Sequence, residues 1–436
     1  MTIGRHSAGG AAPAPRSGQS QVAVVGAGVA GLTAAYLLQR RYDVTLYEAQ
    51  DRLGGHAHTH DIAAGDGRLL ALDSGFLVHN TRTYPHLIRL FAELGVTTQD
   101  TEMSMSVRCE ECGLEYAGSR GPLGLFPAVG SVARPEYLAM LAAIPAFHAE
   151  ARRLLRMPGP GALTFGEFLA HGRFRRYFVS HFAVPLVAAV WSCPPADALN
   201  YPARYLFEFL GHHGMLSVAR SGGWRTVVGG SRAYVERIAK QLTSVRCCVP
   251  VRAVTRVTGG VEIRTGDGGA SRFARAVVAT HPDQAVRMLD LPTRAEREVL
   301  GAFRYGSSRV SLHTDARLLP RSPAARASWN YLLPGCAGTA GQVTVSYHLN
   351  RLMGLTGEAD YLVSLNAAGR VRPGCVLARM TYRHPLYTAG SVAAQRRLPG
   401  LNTSVIAYAG AYHGWGFHED GCRSGAEAAA ALGVRW

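Results

Sequence analysis

The stretch Gly26-Ala27-Gly28-Val29-Ala30-Gly31 is where residue type and spacing speak most directly of chemistry. Gly26 allows a tight turn. Gly28 lets the main chain approach a diphosphate at a helix N-terminus, and Gly31 lets that helix lie close on a sheet. Glu48 follows Gly28 by 20 residues, a separation at which a carboxylate can accept hydrogen bonds from ribose hydroxyls. Gly54-Gly55 then offers bare backbone to phosphate a second time, and Arg52 beside it can offset phosphate charge. A nicotinamide dinucleotide has no need of that second glycine pair.

Other reactive side chains are read against plainer roles. His418-Glu419, just before a closing helix, is the first candidate for proton handling, and His281, at the end of an apolar strand, is a second. His56-x-His58-x-His60 could present metal ligands on one strand face, but polar loop lining accounts for it as well. Cys109-x-x-Cys112 falls at a hairpin tip. No second pair follows at zinc-like spacing and no helix N-terminus is there to acidify a thiol, so an ordinary turn is the expectation and no metal is assigned. The eight cysteines form no framework, which fits a reducing cytoplasm.

These residues need elements to place them. Residues 21–25 read as a buried strand, 31–40 as a helix and 44–48 as a second strand, a βαβ unit around the first glycine motif. Residues 85–94 form an amphipathic helix that starts at a proline and stops at Gly95. A hairpin over 104–117 is followed by apolar helical stretches over 136–156, 164–190 and 201–219. Strands return as a hairpin over 252–264 with Gly259-Gly260 at its tip, then 273–280, 306–314, 342–349, 376–382 and 404–409. A helix from about Ser424 closes the chain. The alternation suits an α/β protein whose nucleotide domain is interrupted by a second domain.

Of 436 residues, 47% are hydrophobic and 17% charged, which excludes a disordered chain. The net charge of +16 is almost all arginine, Lys240 being the sole lysine, placed at the end of a polar-faced helix. The arginines are dispersed with no aromatic-interleaved run, so nucleic acid is not expected, while contact with an anionic membrane surface stays open. Residues 1–19 read as a disordered tail and not as a signal peptide. Residues 22–38 are apolar enough to mimic a short membrane span, but three glycines make them a poor one.

Residues 48–56, Glu48 to His56, resemble the signature of FAD-dependent flavoproteins of the amine oxidase, phytoene desaturase and protoporphyrinogen oxidase group. Three further segments sharpen the resemblance: 72–85 around Asp73-Ser74-Gly75-Phe76, 223–235 around Gly223-Trp224-Arg225-Thr226, and 414–425 around Gly414-Trp415-Gly416-Phe417. Together they look like a bacterial branch of FAD-binding oxidoreductases often found beside cyclopropane-fatty-acid-synthase-like methyltransferases. The resemblance implies a discontinuous Rossmann-type FAD-binding domain (20–100, 222–290 and 396–436). It also implies an inserted mixed-sheet and helical substrate domain (101–221 and 291–395). Motif by motif it assigns Gly26, Gly28, Ala30, Gly31, Glu48, Ala49, Arg52, Gly54, Gly55, His56, Gly75, Val251, Trp415, Phe417, Asp420 and Gly421 to the cofactor. It places His418 and Glu419 near the flavin as catalytic candidates.

Two departures shape the expected function. Many amine oxidases of this fold carry a lysine near the flavin, and Lys240 is poorly placed for it. No cysteine occupies the loop before Asp420 where some of them bind FAD covalently, so non-covalent FAD is expected. With the apolar stretches 178–191 and 201–216, this favours hydride transfer from a lipophilic substrate to the flavin. The alternatives are an amine oxidase without the lysine, a reduced-flavin-dependent isomerase, and a non-catalytic FAD-bearing partner of a lipid-modifying methyltransferase.

Overall fold

A computed structural model describes residues 20–159, 163–216, 223–337, 344–367 and 369–436. The expected N-terminal tail lies outside the described residues. The glycine motif sits on a five-stranded parallel sheet in the order Ser244–Arg246, Asp43–Tyr47, Gln21–Val25, Arg275–Val278, Ile406–Tyr408. Val22 faces Val44 and Arg275 across the two ladders, and Val24 faces Leu46 and Val277. Parallel strands buried on both faces take continuous apolar runs, which is what VAVV and AVV supply. All five strands come from segments 20–100, 222–290 and 396–436.

Helix Val29–Leu38 follows the first strand and is buried at nearly every position, between this sheet and the C-terminal helix His418–Ala431. Burial on all sides explains why residues 22–38 resemble a membrane span. Among the described residues no helix is long and apolar enough to cross a membrane.

A second, seven-stranded sheet runs Val376–Leu386, Arg304–His313, Leu362–Leu365, Thr344–His348, Trp329–Leu333, Met105–Cys109, Glu115–Ala117. It is antiparallel except where Trp329–Leu333 pairs parallel with Met105–Cys109. Helices Pro135–Arg156, Phe165–His171, Val184–Trp191 and Ala203–His212 belong to the same apolar core. Phe147 is the hub of the helical part, with Phe165, Phe168, Phe174, Phe178, Phe182 and Phe207 within 5.6–6.4 Å of it, ring centre to ring centre. Each such ring contributes about 1.5–3 kcal/mol by burial.

Three sequence expectations need correction. Residues 273–280 are not one strand: Ala270–Phe273 ends in a three-stranded antiparallel sheet, and the chain crosses at Ala274 into the parallel sheet as Arg275–Val278. Residues 164–190 are not one helix but Phe165–His171, Arg176–Phe178, a π-turn over Val179–Ala183, and Val184–Trp191. The C-terminal helix starts at His418, not Ser424, because Asp420 caps it by accepting from Phe417 N–H, so residues 418–423 are already helical.

Candidate active site

The two glycine loops meet where the first strand turns into the first helix. Gly54 N–H donates to Ala27 O at 2.8 Å, and a methyl group on Gly55 (φ +58°) would lie 3.1 Å from Gly28 Cα. Gly54 and Gly55 are both in left-handed backbone, where other residues are strained. Glu48, just past the second strand, accepts from Ala27 N–H and Gln50 N–H, both at 2.9 Å. These bonds fix its carboxylate at the floor of the loops and leave further lone pairs for a ligand hydroxyl. Arg52 donates to Gly55 O at 2.7 Å and so braces the second loop.

From these loops a continuous cleft of about 2190 Å³ runs toward the second sheet. Of the residues assigned to a cofactor from sequence, Gly26, Gly28, Ala30, Glu48, Ala49, Arg52, Gly54, Gly55, His56, Gly75, Val251, Trp415 and Phe417 line it, as does His418. Gly31, Asp420 and Gly421 do not. An added side chain at Gly31 would collide with Gly26 O, and one at Gly421 would lie 2.6 Å from Val29 Cγ1, so these glycines serve helix packing. Asp420 is buried as a helix cap, and burial raises its carboxyl to about 6.

Glu419 is likewise placed away from the cleft. Its carboxylate takes His86 N–H, Leu87 N–H and the His86 ring at 2.7–3.1 Å, capping helix Pro85–Leu94. Capping accounts for an acid there, and the geometry offers it no access to a ligand in the cleft. His418 stacks on Phe76 at 3.7 Å, with Nε2 3.3 Å from the Tyr234 hydroxyl. Burial, reinforced by His56 and His79, holds it well below the ordinary histidine range, so it is neutral at pH 7.

The wall beyond Gly75 joins His56 and His281 to Tyr382 and His384, which the sequence left unassigned. His56 packs against Tyr382 and His384, ring centres 4.9 and 5.3 Å apart. Burial lowers His56 to about 4, His281 to about 4 and His384 to about 3, so these three rings are neutral at pH 7. His58 and His60, expected as polar lining, bind Tyr382 OH and Ser74 Oγ instead of converging on a metal. The aromatic loop 410–417 is pinned by Tyr205, Tyr387 and Gln395, all donating to Gly414 O at 2.6–2.9 Å.

Whether these residues suit a bound FAD is tested by two features. Gly28 has φ −70° and no protein atom within 4 Å of an added Cβ, so nothing in the protein requires glycine there, whereas a diphosphate in the cleft would. His56 Nε2, His384 Nδ1, Tyr412 OH and Trp415 Nε1 line the cleft, are buried and have no partner. Such atoms are rare in native proteins unless a ligand or water completes them. Among the described residues no cysteine lines the cleft, in keeping with a non-covalent cofactor.

The opposite lobe is apolar, walled by Met103, Met105, Leu141, Ile144, Phe182 and Leu186 among others. At one side Glu102 is shared by Arg120 and Arg351, each at 3.1 Å. Arg252, Arg287 and Arg383 also line the cleft. Sequence reasoning missed all five arginines, because dispersed arginines carry no local signal.

A parallel sheet with paired phosphate loops, opening onto a domain inserted between its strands, defines an FAD-binding α/β protein with a separate substrate domain. Residues 29–342 match the model of the flavin containing amine oxidoreductases, and the chain belongs to that family. It is 27% identical over 303 residues to AofH, a candidate flavin-containing monoamine oxidase of Mycobacterium tuberculosis. That match covers 66% of this chain and 63% of the relative's length. Putrescine oxidase bound to putrescine has the same fold, with TM-score 0.67, 17% identity and coverage of 96% of this chain and 99% of that one. So does a fatty acid isomerase from P. acnes that produces CLA, with TM-score 0.65, 18% identity and 93% and 97% coverage.

Proposed function

We propose that this protein is an FAD-dependent oxidoreductase acting on a lipophilic substrate, preferably one that ends in a carboxylate. The observation that carries this reading is the charge of the cleft. Its lining carboxylates are Glu48, Asp100 and Glu102. Backbone N–H groups hold the first, Arg225 pairs the second, and Arg120 and Arg351 together over-compensate the third. Among the described lining residues no carboxylate is left to pair with an ammonium group, and no lysine lines the wall. The apolar lobe gains by excluding water from a hydrocarbon chain, while the arginine pair would hold an anionic end.

Bound between the glycine loops, FAD supplies hydride acceptance. The chain's own part is positioning: the pinned loop 410–417 holds Trp415 and Phe417 against the cleft, and Phe209 stacks on Phe417 at 4.7 Å. His418, His56 and His384 are neutral and can accept hydrogen bonds. An exposed apolar stretch, Leu123, Val129, Val132 and Leu138, adjoins the lining residues Gly121, Pro122 and Leu125. It supports uptake of substrate from a membrane surface.

The test is anaerobic bleaching of the flavin by a panel of fatty acids, their methyl esters, isoprenoids, polyketides and primary amines. Bleaching by long-chain acids above esters and amines is expected. Bleaching by amines alone would replace this reading with amine oxidation, as AofH is named for. Double-bond migration without net bleaching would replace it with isomerisation.

A further inference from the structure

We propose that Cys109, Cys112, His181 and Cys336 form a structural zinc site, a metal centre that the flavin chemistry neither uses nor explains. Their sulfur and ring-nitrogen atoms all lie within 4.8 Å of one another, and among the described residues this is the one grouping that could hold a metal ion. Cys109 Sγ is 3.8 Å from Cys336 Sγ, and Cys112 Sγ is 3.7 Å from His181 Nε2. Four ligands placed tetrahedrally at Zn–S of about 2.3 Å and Zn–N of about 2.0 Å stand about 3.5–3.8 Å apart. These two separations are those of zinc ligands, and the sulfur pair stands well beyond a disulfide's S–S length of about 2.05 Å.

The local backbone brings the donors together. Cys109-Glu110-Glu111-Cys112-Gly113 turns sharply, with Gly113 at φ +66°. His181 Nδ1 lies 3.2 Å from Tyr177 O and 2.8 Å from Ser180 Oγ. Donation to the carbonyl puts the proton on Nδ1 and leaves the Nε2 lone pair facing the sulfurs, as metal-bound histidines are oriented. Glu111 accepts from Cys336 N–H at 2.7 Å and so holds the fourth ligand's backbone in place. Binding Zn²⁺ releases three thiol protons and leaves a net charge of −1. Arg134, which donates to Cys112 O at 2.7 Å, stands beside it.

The position gives the site a purpose. The knuckle ends strand Met105–Cys109, Cys336 follows strand Trp329–Leu333, and His181 lies in the π-turn Val179–Ala183. Tyr116 OH donates to His181 O at 2.7 Å, and Tyr116, Val107 and Phe182 line the cleft. Zinc would thus tie together three walls of the apolar lobe. The sequence showed only Cys109-x-x-Cys112, because the other two donors come from residues 181 and 336 and not from a second pair at short spacing.

The test is zinc content of the full-length flavoprotein, made in zinc-replete medium and purified without a metal-affinity step. One zinc per chain is expected, with X-ray absorption fitting three sulfur and one nitrogen ligand. Cys336→Ser and His181→Ala should each weaken zinc retention about tenfold or more, while His181→Cys restores it. If a variant fails to fold, the wild-type stoichiometry and ligand set decide. Wild-type protein without zinc, zinc bound only by oxygen and nitrogen, or a Cys109–Cys336 disulfide found by peptide mapping would overturn the proposal. FAD content read from the same samples reports separately on the cofactor site.

Discussion

Gly28 offers a substitution that separates folding from cofactor binding. Its φ of −70° and ψ of 177° suit any residue, and an added Cβ meets nothing within 4 Å. For the protein alone, Gly28→Ala gains about 0.4–1 kcal/mol by restricting the unfolded chain. Loss of a favoured helix-capping glycine costs about the same. The two nearly cancel, so the apoprotein should melt as wild type does. With FAD bound, the new methyl occupies the space where backbone meets diphosphate. Overpacking of that kind costs about 1–3 kcal/mol, which is a roughly 5- to 150-fold rise in Kd. Gly28→Val, larger and branched, should abolish binding. Gly31→Ala is the contrast: it drives a side chain into Gly26 O and should lower apoprotein stability itself. The assay is a melting curve on deflavinated protein, followed by titration with FAD. Wild-type affinity in Gly28→Val, or an apoprotein destabilised as much as Gly31→Ala, would refute the placement of the diphosphate.

Lowering the pH should weaken the site. His56 and His384 are held neutral in the fold near 4 and 3, below the ordinary 6.5, so their contribution is complete above 6.5 and is lost as pH falls toward 4. For His56 this is at most about 3 kcal/mol, less whatever water in the open cleft recovers by solvating the ring. The flavoprotein's Tm should drop over that window, and a flat profile from 6.5 to 4 would count against a buried neutral wall. Arg351→Met should raise KM for a carboxylate-bearing substrate about tenfold or more, by loss of a charge-assisted hydrogen bond, and leave its methyl ester unaffected. Equal effects on acid and ester would remove the arginine pair from substrate recognition. Replacing Leu123 and Val129, 77% and 91% exposed, by serine should reduce co-sedimentation with anionic vesicles and leave FAD content unchanged. Undiminished co-sedimentation would dismiss that stretch as a membrane contact.

The legible and illegible parts of this protein differ in a physical way. Contacts made by backbone force a residue type at a fixed offset, so Gly26, Gly28, Gly54 and Gly55 announce their ligand within 30 residues of sequence. Contacts made by side chains across the fold leave no such trace. Glu419 at a helix start reads equally as an acid for chemistry or a cap, and only the packing of Pro85–Leu94 against it shows that it caps a different helix. Glu102, Arg120 and Arg351 are ordinary in isolation and become one group because helix Leu349–Met353 brings Arg351 to Glu102. The same holds for His181, turned toward the cysteines from a π-turn that ends where Pro185, lacking an N–H, interrupts the α-helical ladder. Cofactor grip is therefore written locally and substrate choice topologically. It follows that substitutions in the glycine loops should change FAD affinity whatever the substrate, while those at Arg120 or Arg351 should change which substrate is turned over and leave FAD affinity alone.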